Sequence, residues 1–443
     1  MRFSELEGRR VGVWGLGREG RSVARAVAAR LPGTELILVD ESRPAGSEGE
    51  WEGLPVTADP GALATCDVVV RSPGVSIHRP EAAALREAGV TLTSGTRIWF
   101  AEHPDARTIG VTGTKGKSTT SALVAHLAAS RGLRVELAGN IGRPLADTLA
   151  GPAPAEADLW VLELSSFQTA DLDASPSVGV LLNLYREHTD WHLTQETYWR
   201  DKLNLFGHRP DMTSVLNAAD PEVRARGAGL PGPRWFRTPE GFDAGPAGIT
   251  RGGRPYAPRD AVGLPGAHNL DNVCAALTAL EAVGVEGDDL VEPLARFRPL
   301  AHRLEPVLER DGILFVNDSI ATIPEASVAA ARALAPRPTV LLVGGRDRRQ
   351  DYGPLADYLA GATSVVGVVG LPGNGAAILE RIAEGGGTVA TAPADGMDDA
   401  VRRARGMLPA GGVVLLSPGA PSGADFGDFE TRGEAFRAAV VDP

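Results

Sequence analysis

The 443-residue chain is long enough for about three domains and several buried cores, so it needs no disulfide or metal staple. Asp and Glu outnumber Lys and Arg by 56 to 44, a formal charge of −12 that argues against a general nucleic-acid or anionic-membrane binder. Two cysteines, Cys66 and Cys274, are too few for a disulfide scaffold, and no apolar run approaches the roughly 20 residues of a membrane helix, so a soluble, cytoplasmic protein is expected. The opening MRFSELEGRR carries no apolar signal core.

Strand and helix patterns alternate along the chain, which predicts α/β layers with mainly parallel sheets. The first stretch reads as strand VGVWGLG, a helix from about Glu19, then ELILVD, DVVVRSPG and TLTSG. Gly15, Gly17 and Gly20 form G-x-G-x-x-G between strand and helix, and Asp40 ends the next strand 20 residues past Gly20. That context predicts a Rossmann-like nucleotide site: glycines let the backbone approach a diphosphate, and the carboxylate meets a ribose or base. As a motif alone it is weak, because such glycines also simply close tight turns.

The second stretch begins at TIGVTGTKGKSTT and continues through RVELAGN, DLWVLELSS and VGVLLNL to an amphipathic helix from His268 to about Val283. Its loop Gly113-Thr114-Lys115-Gly116-Lys117-Ser118-Thr119 lies between a strand and a helix, where glycine-turn N–H groups and the helix N-terminus can cradle ATP phosphates. Lys117 would reach the β- and γ-phosphates and Ser118 would contact Mg²⁺. Strict Walker spacing asks for glycine at 111, where Val111 stands, so this is a variant loop. Residues 224–262, rich in Gly, Pro and Arg, read as a β/loop excursion. The third stretch carries ILFVND, TVLLVGG, SVVGVVG and GVVLLSPGA. Breaks fall near 103–106 and 298–301, giving domains 1–104, 105–300 and 301–443. These are a Rossmann-like N-terminal domain, a central P-loop-type ATP-binding domain and a Rossmann-like C-terminal domain.

Lysine is almost absent. Only Lys115, Lys117 and Lys202 occur, against 41 arginines, although Lys is ordinarily among the commonest residues. Arg is a permanently charged fork, whereas Lys is an amine that can lose its proton and act as a nucleophile. Two of the three fall in the phosphate loop. Glu163 ends an apolar strand and His188 follows another, both at the strand edge where open α/β sheets bind ligands. A hard Mg²⁺ suits Ser118 and Glu163, and a histidine ligand less so. Lys202, on a helix whose apolar face includes Tyr198, Leu203 and Phe206, would suit a metal–ATP site only if CO₂ converted its amine to an anionic carbamate.

The ordered segments GTKGKST, LELSSFQ, NL…EH, Lys202, GAHNLDN, HRLE, NDSIAT and LLSPGAPS together resemble the Mur ligase family of ATP-dependent peptidoglycan amide ligases, over essentially the whole chain. Within it the chain is most similar to the ligases that add glutamate to UDP-N-acetylmuramoyl-L-alanine. The resemblance implies UDP-substrate, ATP and amino-acid domains in that order. It assigns Gly113 to Thr119 to the ATP phosphates, with Lys117, Ser118 and Thr119 matching most directly. It also assigns Asn269 to adenine, and Arg303 and Asp318 to ATP contacts from the C-terminal domain. Ser118, Glu163, His188 and carbamylated Lys202 match metal positions for Mg²⁺, with two ions implied. Gly15, Leu16, Gly17, Asp40, Ser42, Ser72, Pro73 and Gly74 match the UDP site, and Asn140 and Gln168 the muramoyl region. Thr322, Arg348, Ser422 and Phe429 line up with the glutamate pocket.

Two departures stand out. Ile320 and Arg348 occupy positions where the D-glutamate ligases usually have lysine, and NLYREHTDWH, RDKLNL, NDSIATIPEAS and LLVGGRDR are closer to the branch that adds L-glutamate. In that branch a separate epimerase later inverts the residue. L-glutamate is therefore expected, with D-glutamate the alternative. The more distant alternatives are a nucleotide-binding oxidoreductase, which would leave the second phosphate loop unexplained, a folate polyglutamylating ligase, which would leave the first glycine motif unexplained, and a non-catalytic ATP module. Ligands drawn from three domains imply closure before chemistry, with Pro299 and HRLE as the hinge. A monomer without nucleic-acid partner or membrane insertion is expected.

Overall fold

The computed structural model describes residues 1–41, 43, 48–150, 157–264, 266, 268–285, 289–298, 301–347, 350–386, 389–408, 411–423 and 426–441. Ser42, Pro299 and Arg348 of the expected sites lie outside the described residues. The chain forms two compact units, one of residues 1–262 and 270–297, the other of 263–269 and 298–443.

The first unit holds two six-stranded sheets. In one, strand Arg10–Trp14 pairs in parallel with Glu35–Val39 on one side and Val68–Arg71 on the other, so the chain reverses its direction of progress across the sheet at Arg10–Trp14. A ligand crevice is expected beyond the C-terminal ends of strands at such a switch point. Helix Arg18–Arg30 follows the glycine turn, starting one residue before its predicted onset. The antiparallel pair Glu48–Trp51 and Leu54–Thr57 extends the sheet where no strand is predicted. Its period is masked by Gly, Glu and Pro.

In the second sheet all pairings are parallel, and Thr108–Thr112 lies between Leu159–Glu163 and Val178–Leu181. Each of these strands is wholly buried, as near-continuous apolar runs covered on both faces should be. The glycine- and proline-rich 224–262 segment divides. Pro233–Phe236 joins this main sheet in parallel, and only 242–258 forms a separate three-stranded antiparallel sheet. The two large sheets share one apolar cluster, in which Trp99 packs on Trp160 with ring centroids 5.0 Å apart and donates through Nε1 to Thr148 Oγ1 at 3.1 Å. That common core joins them into one unit, and residues 103–106 lie inside it.

The second unit is built on a six-stranded sheet whose Ile313–Asn317, Gly412–Leu416 and Thr339–Val343 run parallel side by side, with Glu305–Arg310 antiparallel at the edge. Its layers close around Leu341, Val343 and Leu355 on one face and Leu342, Leu416 and Phe436 on the other.

Candidate active site

At the C-terminal edge of the second sheet, strand Thr108–Thr112 runs into the glycine loop and helix Lys117–Ser130. Gly116 caps that helix with φ of 88°, a left-handed conformation, and a Cβ there would collide with Asn272 Oδ1. Gly113 has φ of 151°, and its Cβ would come within 2.8 Å of Leu182 Cβ. The loop is clamped from outside: Thr114 N donates to Asn183 O at 3.0 Å, Lys115 N to Asn183 Oδ1 at 2.7 Å, and Tyr185 N to Thr114 Oγ1 at 2.9 Å. Ser118 and Thr119 are buried in the first turn of the helix, whose N–H groups and dipole favour an anion.

Lys117 and Lys202 meet here. Lys117 Nζ donates to Gly113 O and Thr114 O at 3.0 Å each, and Lys202 Nζ donates to the same Gly113 O at 3.1 Å. Lys202 is 1 % exposed, with its ammonium 4.9 Å from the centroid of the Tyr198 ring. Burial, then the neighbouring Lys117, push its pKa well below the usual ammonium range. A neutral amine is the form that attacks the carbon of CO₂, and the resulting carbamate, formed with loss of a proton, would turn a repulsive pair of cations into an attractive one.

Glu163, at the end of strand Leu159–Glu163, is 1 % exposed. Its Oε1 accepts from Asn140 Nδ2 at 2.7 Å, while its buried Oε2 has no hydrogen-bond partner among the described residues. A buried, unsatisfied carboxylate oxygen is costly unless something else occupies it, and a hard cation is the fitting occupant. His188, with φ of 55°, caps the short helix Thr189–His192 and rests on the Phe167 ring at 4.9 Å. Burial lowers its pKa, which favours the neutral imidazole that a metal requires. The residues present thus fit a magnesium–triphosphate centre.

At the C-terminal edge of the first sheet the glycine turn and the Ser72-Pro73-Gly74 loop lie together. Gly15 N donates to Val39 O at 2.7 Å and Ser72 N to Trp14 O at 2.8 Å. A Cβ on Gly20 would strike Gly15 O, and one on Gly17 would sit 3.7 Å from Ser72 Oγ. Leu16 is buried behind the turn, and Asp40 follows the neighbouring strand, its N–H on Thr57 O.

Several residues that sequence reasoning passed over hold this site. Arg71, 2 % exposed, donates to Ser72 O, Pro73 O and Val75 O and also to Phe167 O and Asp171 Oδ1, fastening the first sheet's loop to the LSSFQ turn. Asp201 Oδ2 receives His78 Nε2 at 2.6 Å and His192 Nδ1 at 2.8 Å, and His192 Nε2 faces Ser166 Oγ at 2.9 Å. The two ring nitrogens and the carboxylate could group around a cation, but both nitrogens already sit at hydrogen-bond distance from one oxygen. Burial raises the Asp201 pKa, but the two imidazoles outweigh it and hold the carboxylate below its ordinary range. Gln168 closes a capping box with Ser165 and donates to Glu19 Oε1 at 2.5 Å. Burial pushes Glu19 up to about 7 against Arg71 and Arg18. The available signal was helical spacing: Tyr198, Asp201 and Lys202 share one buried face, and two adjacent charges on such a face demand partners. The helix ends at Leu203, so Phe206 lies beyond it.

The remaining predicted residues belong to the second unit. Asp318 accepts from Leu304 N at 3.1 Å and Ser417 Oγ at 2.7 Å, and burial raises its pKa to about 6 against the attraction of Arg303. Asn269 is buried in the first turn of helix His268–Ala282. Thr322 O accepts from Gln350 Nε2, Phe429 opens the last helix, and Ser422 Oγ is buried without a hydrogen-bond partner among the described residues.

Residues 111–233 match the family description "Mur ligase middle domain", and 302–419 match "Mur ligase, glutamate ligase domain". The UDP-N-acetylmuramoyl-L-alanine–L-glutamate ligase of Salinispora tropica is 44 % identical, covering all of this chain and 99 % of the relative. The chain belongs to the Mur ligase family. The enzyme of the same name from Xanthomonas axonopodis pv. citri is 42 % identical over all of this chain and 97 % of its own. Among solved structures, the MurF ligase of Thermotoga maritima in complex with ADP superposes with a TM-score of 0.59 at 18 % identity, covering 99 % of this chain and 96 % of that one. The UDP-N-acetylmuramate–alanine ligase MurC of the same organism gives a TM-score of 0.60 at 18 % identity, covering 97 % and 98 %. The likeness in fold to these ligases extends over nearly all of the chain.

Proposed function

We propose that this Mur ligase joins L-glutamate to UDP-N-acetylmuramoyl-L-alanine, converting ATP to ADP and phosphate, in peptidoglycan precursor synthesis. The geometric observation that carries the reading is the pair of lysines on the Gly113 carbonyl, beside a buried glutamate with one unsatisfied oxygen. Full-length likeness to relatives bearing that ligase name supports the substrates.

A carboxylate is a poor electrophile, so the reaction begins with an alanyl carboxylate oxygen attacking the γ-phosphorus while the bridging bond to ADP breaks. The glutamate nitrogen then attacks the acyl-phosphate carbon, and phosphate leaves as the amide forms. Little covalent chemistry falls to the protein, so positioning and charge neutralisation dominate. Lys117 offsets phosphate charge from the glycine loop, and the first turn of its helix supplies N–H donors through Ser118 and Thr119. Ser118, Glu163, His188 and Lys202 as its carbamate would hold Mg²⁺, which when bound lends positive charge to the phosphate oxygens. The turn at Gly15, Leu16 and Gly17 with Ser72, Pro73, Gly74 and Asp40 receives the UDP group. Asn140 and Gln168, anchored to the buried Glu163 and the half-buried Glu19, face the acceptor's sugar. In the second unit Asn269, Arg303 and Asp318 serve the nucleotide, while Thr322, Ser422 and Phe429 serve the glutamate.

No helix among the described residues is long and apolar enough to cross a membrane, and both nucleotide substrates fit a cytoplasmic enzyme acting before an epimerase. Incubation with ATP, Mg²⁺, the UDP-linked acceptor and each glutamate enantiomer separately tests the reading by product mass and chiral analysis. Phosphate release requiring both acceptor and L-glutamate is expected. Release with D-glutamate alone, or none with either, overturns it.

A further inference from the structure

The C-terminal unit contains a buried cation that none of the assigned roles uses. Arg432, on helix Phe429–Val441, is 0 % exposed. Its Nε donates to Ser319 Oγ at 3.0 Å, Nη2 to Ser319 O at 2.8 Å, and Nη1 to Ala420 O at 3.0 Å and Gly344 O at 3.4 Å. Every acceptor is neutral. Among the described residues no carboxylate pairs with it, and burial alone lowers its pKa to about 10. Buried arginines are ordinarily paired with an anion, because isolated charge in a low dielectric is expensive.

The location of this charge is informative. Ser319, Gly344 and Ala420 follow three adjacent parallel strands, Ile313–Asn317, Thr339–Val343 and Gly412–Leu416. One guanidinium therefore gathers three strand-end loops at the sheet edge where α/β folds bind ligands. Ser319 Oγ passes the contact on by donating to Phe429 O at 2.8 Å. A second observation points to a ligand at the same edge: Ser422 Oγ, two residues beyond Ala420, is buried with no hydrogen-bond partner among the described residues. Next to Ser319 stands Ile320, an apolar side chain that offers a carboxylate nothing.

We propose that Arg432 is a specificity-determining, positioning residue for the incoming amino acid: from beneath the three loops its unpaired charge attracts the substrate's side-chain carboxylate, while its hydrogen bonds set the loops that present Ser422. This deepens the glutamate reading and rests on it. The charge withheld from the surface at Ile320 is supplied from the interior, where it is weakly screened and cannot be neutralised by solvent counter-ions. Acting through space and through Ser319, Arg432 selects for a second carboxylate without touching the reacting atoms.

The test compares L-glutamate with its neutral isostere L-glutamine in the full-length enzyme, using Arg432→Gln and Arg432→Lys. In Arg432→Gln the preference for glutamate in kcat/KM falls at least about tenfold, through KM for glutamate, while KM for ATP and for the acceptor stays within about twofold. Arg432→Lys, which keeps the charge and loses the fork, retains the preference within about threefold. An unchanged preference in Arg432→Gln overturns the proposal, as does a parallel rise of all three KM values, which is the signature of a purely structural role. Should Arg432→Gln fail to fold by circular dichroism, folded Arg432→Lys decides: loss of the preference overturns the proposal, and its retention supports it. Parent enzyme inactive with both glutamate enantiomers refutes the ligase reading itself, whereas an active parent with an indifferent variant refutes only the role of Arg432.

Discussion

At the scale of single residues, scarcity and burial carry the chemistry. Lys202 and Lys117 donate to one carbonyl oxygen, an arrangement two ammonium groups resist, so the buried amine is poised to be neutral or converted. Arginine would keep the charge but cannot form a comparable carbamate. Lys202→Arg is therefore expected to lose at least about a hundredfold in kcat. Lys202→Ala should recover part of its activity with formate or acetate, and an Arg variant of full activity would remove the carbamate from the account. Glu19 gives a pH prediction. Its folded pKa of about 7 lies above the ordinary 4.5, so the folded state holds the extra proton and stability falls as pH rises from about 4.5 through 7. Glu19→Gln removes that dependence. Its stability advantage over the parent should grow by roughly 2–3 kcal/mol between pH 5 and pH 8 in urea melts, and a pH-independent difference would mean that Glu19 is not strained in the fold.

At the scale of elements, the candidate site is assembled from the ends of parallel strands, which deliver the glycine loop and Glu163, and from helix Gln195–Leu203, which delivers Lys202. The glycine loop is the plainest case, because its shape depends on Gly116 having no side chain. Gly116→Ala would impose about 1–2 kcal/mol of left-handed strain in addition to the collision with Asn272. The expected outcome is a raised KM for ATP with little change in KM for the acceptor, measured by steady-state kinetics. These elements were legible in the sequence because strand, glycine and helix signals coincide there: the strand ending at Thr112, the loop and a following helix were all predicted, although the helix begins at Lys117, within the predicted loop. Glu163, His188 and Lys202 were legible as charges at apolar strand ends or on an apolar helix face. The supports were not. His78 and Asp201 are 123 residues apart, Arg71 and Phe167 are 96 apart, and no local pattern reports such pairings. The 224–262 segment misled for a related reason: Pro233–Phe236 looks like loop by composition, and its place beside Thr213–Asn217 is fixed by tertiary pairing.

At the scale of the whole molecule, three large sheets make two units because the first two sheets share a core. Trp99, from the helix that closes the first sheet, is fully buried between Phe100, His103 and Trp160, with its indole N–H on Thr148. Neither sheet can lose that contact without exposing the other's apolar face, so both should unfold as one cooperative body. Trp99→Ala removes the largest side chain at the junction and is expected to cost about 3–5 kcal/mol, since so large a cavity collapses only in part. Hydrogen exchange separates the possibilities. The variant should lose protection together in strands Arg10–Trp14 and Leu159–Glu163, while Thr339–Val343, whose cluster is built from residues 304–415, keeps the parent's protection. Loss confined to one of the first two sheets would show that they fold independently. Arg71 and His78 would then be contacts across a domain boundary, and their hold on the Phe167 turn and on the Lys202 helix would depend on closure. Joint loss means that the crevice beside Gly15 and Ser72 and the glycine loop at 113–119 belong to one preassembled body, whose two sheet edges keep a fixed spacing because they share the Trp99 core.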